Sequence, residues 1–71
     1  MNDVFINGPL PLGSFLKLAG VAGMGGHAKI LVQSGEVKVN GEPEERRGRI
    51  LQCDDVVAVQ EVEYRVCSSP D

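Results

Sequence analysis

The chain has 71 residues, 42% of them apolar, which fits one small domain and excludes both a multidomain enzyme and a disordered chain. Ten acidic residues outweigh seven basic ones for a net charge of −3, which argues against indiscriminate nucleic-acid binding. Two cysteines fall short of a disulfide scaffold or a structural zinc site, and no apolar run approaches membrane-spanning length.

In chain order, Asp3 to Ile6 is a strand candidate that Gly8-Pro9 and Pro11 interrupt. Pro11 suits the first turn of a helix, where its missing N–H costs nothing. Leu12, Phe15, Leu16 and Ala19 then recur at the spacing of one helical face, with Lys17 on the opposite side and Gly20 as the stop. After a Gly-rich connection from Val21 to Gly26, a second helix is predicted from about Gly26 to Ser34, ended by Gly35. Its inward stripe is Ala28, Leu31 and Val32. Ile30 lies about 160° around the helix from Val32 and points away from the core.

Val37 and Val39 flank Lys38 in the alternation of a half-buried strand. Asn40-Gly41 is a strong hairpin signal, because both residues tolerate the positive φ of a type I′ turn. Pro43 makes the following segment a poor central strand, and Glu44 to Gly48 reads as a polar loop. Val56 to Val59 is a strand, and Val62, Tyr64 and Val66 alternate with Glu63, Arg65 and Cys67 in another. The last strand is expected to pair with the N-terminal one. The fold class is therefore α+β: two short helices packed on a small, mostly antiparallel curved sheet. One domain spans residues 1–71, with its core at about 4–66 and a loose tail at 68–71.

Charge is distributed unevenly. No acidic residue occurs from Val4 to Gly35, against Lys17 and Lys29, while five acids meet only Arg65 after Ile50. Lys17, Lys29 and Lys38, with Arg46, Arg47 and Arg49, supply ammonium and guanidinium groups suited to phosphate. The start of the second helix adds Gly25 and Gly26, where glycine lets a phosphate approach backbone N–H groups. His27 is a further donor, stronger below neutral pH. The competing reading is a solvated surface whose arginines pair with Glu42, Glu44 and Glu45. Asp54-Asp55 reads as a turn former and Cys53 as a semi-buried small residue. No catalytic set stands out, and three aromatics, Phe5, Phe15 and Tyr64, are too few for a base-stacking platform.

The order Leu-Gly-x-Phe-Leu-Lys, Gly-Gly-x-Ala-Lys, Gly-x-Val-x-Val-Asn-Gly, Arg-Arg-Gly-Arg and Asp-Val-Val resembles the S4-like RNA-binding domain, also called the αL motif. The resemblance runs from about Val4 to Val66 and is nearest to the small stand-alone bacterial members. It implies a helix pair on a small sheet, with RNA held at the face of the helices and the adjoining loop. Carried over by position, the RNA-binding set is Lys17, Gly25, Gly26, His27, Lys29, Lys38, Arg46, Arg47 and Arg49. Three departures stand out: Met24-Gly25 replaces a common Ser-Arg pair, Ile30 replaces a basic side chain, and Asp54-Asp55 replaces Gly-Asp.

The resulting expectation is a monomeric, cytoplasmic, ribosome-associated RNA-binding module with no catalysis, cofactor or metal. Its partner is structured RNA, ribosomal or transfer, bound through phosphate contacts and shape. Four or five such contacts imply a slope of log K against log salt near −3 to −4 by order of magnitude. The alternative is a protein-interaction adaptor on the same fold, using the Ile30 face.

Overall fold

The two apolar stripes fold as their spacing predicts. The computed structural model describes residues 1–21 and 25–68, with the backbone alone described for 25–27. Ala22, Gly23 and Met24 of the predicted connection, and residues 69–71 of the predicted loose tail 68–71, lie outside them; Ser68 is not tail but the end of the last strand, paired with Ile6. Helix α1 spans Leu12–Leu18 and buries Leu12, Phe15 and Leu16. Pro11 precedes it in an extended conformation (φ −63°, ψ 146°) and offers no side-chain cap. Gly20, at φ +78°, reverses the chain. Its N–H donates to the Lys17 carbonyl at 3.1 Å, and the Val21 N–H donates to the Leu16 carbonyl at 2.9 Å. This is the paired bonding of a Schellman stop.

Helix α2 spans Gly25–Gln33 and buries Ala28, Leu31 and Val32, leaving Ile30 65% exposed. Gly35 at φ +81° follows its end, its N–H reaching the Val32 carbonyl at 3.3 Å.

Strand β1 is Asn2–Ile6, and a two-residue strand β2, Leu10–Pro11, leads into α1. After α2 come β3 (Val37–Val39), β4 (Glu42–Pro43), β5 (Ile50–Leu51), β6 (Val56–Val59) and β7 (Val62–Ser68). The main sheet runs β1-β7-β6-β3-β4. Only β1 and β7 are parallel, Val4 lying opposite Val66, and the other pairs are antiparallel. Pro43 sits on the edge strand, where its missing donor breaks no ladder. The β3–β4 turn has Asn40 at φ +53° and Gly41 at φ +87°, as a type I′ hairpin requires. The β6–β7 turn repeats that geometry at Gln60 and Glu61, φ +52° and +70°, with no glycine to relieve it.

The inward sheet face, Ile6, Val37, Val39, Val57, Val59 and Val66, meets the buried stripes of both helices and Leu51 in one core. The fold is therefore α+β, two short helices on a mostly antiparallel curved sheet. The alternation that buries Val37 and Val39 turns Lys38 to the opposite side of the sheet, away from the helices.

Asp54 takes φ +78°, and Asp55 accepts the Gln52 N–H at 2.9 Å and the Asn40 amide at 3.1 Å. Asn40 Oδ1 in turn accepts the Val56 N–H at 2.9 Å. The two aspartates thus serve the turn into β6. The same turn carries Cys53 outward: it is exposed, not semi-buried as its residue type predicts, while Cys67 is partly buried.

Candidate nucleic-acid interface

The basic loop is built by its backbone. Its first residue, Glu44, continues the β3–β4 hairpin through an N–H bond to the Val37 carbonyl at 3.0 Å. That placement buries Glu44, the one charged residue so placed among the described residues. Sequence gives no sign of this, since glutamates are seldom buried. The carboxylate is matched by two guanidinium groups. Arg46 Nε lies 3.1 Å from Oε2, and Arg49 Nη1 lies 2.9 Å from Oε1. Hydrogen bonds from Arg46 first, then Arg49, hold the Glu44 carboxyl down from 4.5 to about 2, against a smaller opposing effect of burial.

A depressed carboxylate stabilises the folded state above its unfolded value. That contribution is lost as pH falls from about 4.5 toward about 2. Glu44→Gln is expected to be less stable than the wild type near neutral pH, with the difference closing across that window. Urea midpoints measured from pH 7 to pH 2 test this. A difference that stays constant with pH would remove the ionic latch.

Two carbonyls of the same loop cap α1. The Leu12 N–H donates to the Arg49 carbonyl at 2.8 Å, and the Gly13 N–H to the Arg47 carbonyl at 3.0 Å. These bonds replace the side-chain cap that Pro11 lacks and satisfy donors that a helix start leaves open. Antiparallel pairing of β2 with β5 reinforces the junction, Leu10 opposite Leu51 and Pro11 opposite Ile50. The start of α1 is thus an anchor for the loop, and these two N–H groups are spent on protein carbonyls.

A groove of about 250 Å³ opens along this seam, lined by Pro11, Gly13, Ser14, Lys17, Ala28, Arg47 and Gly48. The Arg47 stem runs over Gly13: a methyl placed there would lie 3.6 Å from the Arg47 Cβ. Ion pairs among the described residues engage Arg46, Arg49 and Arg65. Lys17, Lys29, Lys38 and Arg47 have no carboxylate partner among them.

The nine sequence-predicted residues therefore divide. Lys17 and Arg47 converge on the groove, and Lys29 is exposed on α2 one residue beyond the groove-lining Ala28. Arg46 and Arg49 sit beside it, latched to Glu44. Lys38 lies on the far side of the sheet. Gly25 and Gly26 form the first turn of α2, and the His27 side chain lies outside the described residues. Ser14 was not singled out in the sequence. Its signal there is the i, i+3 spacing to Lys17, which puts both on one helical face. No cluster of three His, Cys, Asp or Glu suited to a metal ion occurs among the described residues. No helix among them is long and apolar enough to cross a membrane.

Comparison with known proteins agrees with this architecture. The chain is 51% identical over 51 residues to a probable ribosome maturation protein, RlbA, of Bacillus subtilis (strain 168), covering 72% of each chain. It is 37% identical over 60 residues to a tyrosine–tRNA ligase of Aromatoleum aromaticum, covering 84% of this chain and only 15% of the ligase. Among solved structures it superimposes on the 30S ribosomal protein S4e of Thermoplasma acidophilum with a TM-score of 0.63. That match has 20% identity and covers 84% of this chain and 32% of the other, a likeness of fold. The S4 domain model matches residues 2–67, and the chain belongs to the S4 domain family.

Proposed function

We propose that this chain is a non-catalytic RNA-binding module that docks on a structured RNA, a ribosomal or transfer RNA element, in the cytoplasm and as a monomer. One observation carries the reading. Lys17 on α1 and Arg47 on the loop project into a single groove with no carboxylate partner among the described residues, and two backbone bonds fix that loop to α1. Fixed cations of this kind neutralise phosphates without first having to be ordered. Lys29 extends the surface along α2. The Glu44, Arg46 and Arg49 trio keeps one net positive charge beside it, while Lys38 contributes only through the screened field of the molecule. The membership of the family and the ribosome maturation relative support ribosomal RNA as the first ligand to try.

Glu44 occupies two of the arginines, so about three phosphate contacts are expected. The slope of log K against log salt is then near −2 to −3, shallower than the count of cations in the sequence implies. Titration of purified ribosomal RNA at four salt concentrations tests the mechanism. A flat response with unchanged affinity would exclude phosphate-led docking.

The exposure of Ile30, 65%, favours a second reading, an adaptor that captures a protein through α2. Ile30→Ser, which adds no charge beside Lys29, separates the two: it leaves the RNA titration unchanged under the first reading and abolishes co-sedimentation with intact ribosomal subunits under the second.

A further inference from the structure

Ser14 is the neutral polar side chain in a groove otherwise made of two cations, small residues and proline. It is exposed and three positions before Lys17, so both face the groove from the same side of α1. Arg47 comes from the opposite wall. None of the three aromatic residues lines the groove, so it offers no aromatic face on which a base would stack. What remains is a place for the sugar–phosphate chain. Gly48, with open space where a side chain would stand, and the buried Ala28 carry at most one methyl group per residue and let a sugar approach closely.

We infer that Ser14 is an RNA-specific contact whose hydroxyl pairs with the ribose 2′-hydroxyl next to the phosphate held by Lys17 and Arg47. This rests on the RNA-binding reading and adds to it a basis for preferring ribose to other sugars. The chemistry fits: a 2′-hydroxyl sits on the ribose carbon next to the one that carries the 3′-phosphate, so the two groups lie within reach of side chains one helical turn apart. Serine both donates and accepts a hydrogen bond, as the 2′-hydroxyl does. Lysine and arginine, which only donate, favour the charged phosphate oxygens and cannot accept the proton of the 2′-hydroxyl.

The test uses transcribed ribosomal RNA fragments made either with ribose or with 2′-fluoro pyrimidines, which keep the A-form sugar but cannot donate from the 2′ position. The wild-type protein is expected to bind the ribose form about 3- to 10-fold more tightly, the range of one neutral hydrogen bond. Ser14→Ala should lose that preference, bind the 2′-fluoro form as the wild type does, and unfold at an unchanged urea midpoint. Ser14→Thr, which keeps the hydroxyl, should keep the preference. Arg47→Ala should weaken both forms alike. If Ser14→Ala retains the wild-type preference while Arg47→Ala weakens binding, the ribose contact is wrong and phosphate docking stands. If the wild-type protein binds neither RNA, both fail.

Discussion

Replacing Lys17 and Arg47 together by Ala is expected to weaken ribosomal RNA binding by about 100-fold or more at low salt, because each charge-assisted hydrogen bond to phosphate contributes roughly 1.5–3 kcal/mol. The salt slope should become shallower by about 1.5, as two of three counterion-releasing contacts disappear. Neither side chain supports the fold: Lys17 and Arg47 are exposed and unpaired among the described residues, and the loop is held by Arg47's carbonyl, which Ala retains. The urea midpoint should therefore hold while affinity falls. Lys38→Ala is the control. It removes one charge, where the double variant removes two, from the other side of the sheet and should cost less than about 3-fold, through screened electrostatics alone. A loss in Lys38→Ala as large, per charge removed, as in the double variant would mean that net charge, and not the groove, governs binding.

The largest effect on stability is expected at Phe15. It is fully buried and is the bulkiest side chain in the core. Truncation of a buried phenylalanine costs about 3–5 kcal/mol through lost transfer energy and the cavity left behind. A domain of this length has a total stability of only about 4–11 kcal/mol. Phe15→Ala should thus lose about half of its stability or more, and urea denaturation should place its midpoint far below the wild type. Leu18, one turn on and 57% exposed, gives the contrast: Leu18→Ala should change stability by about 0.5 kcal/mol or less. If Phe15→Ala unfolds within about 1 kcal/mol of the wild type, the core is not organised around α1. The consequence for function follows from the capping bonds. When α1 loosens, the Arg47 and Arg49 carbonyls lose their donors, and the groove loses both walls.

The division of roles within the Arg46–Arg49 segment changes how its charges are read. In sequence it is a cluster of three equivalent arginines. In the folded chain Arg46 and Arg49 grip a buried glutamate, and Arg47 alone turns toward α1 with its head group open. Glu44 thus lowers the cationic charge of the surface while fixing where the remaining charge points. For a protein of net charge −3, rigid placement of a few cations is a more selective device than a diffuse basic coat.

The helices, their stops, the Asn40-Gly41 hairpin and the strands at Val56–Val59 and Val62–Val66 were legible in the sequence. Each rests on local physics: a stripe at helical spacing, an alternation of period two, or a residue tolerant of positive φ. Pairing of the first and last strands was also foreseeable, although nothing in either strand marked it as parallel. The Gln60-Glu61 turn was not legible, because it adopts type I′ geometry without the residues that advertise it.

What the tertiary structure alone decided lies in bonds between distant backbones. Leu12 and Gly13 find their acceptors at Arg49 and Arg47, more than thirty positions away, and carbonyls carry no side-chain signature. Burial of Glu44 and the turning of Lys38 to the far side likewise depend on where β3 sits relative to both helices. Residue pattern determined which elements form and which faces they bury. The docking of one loop against one helix start determined which cations share a surface, because that requires a spatial match between groups that composition and periodicity do not encode.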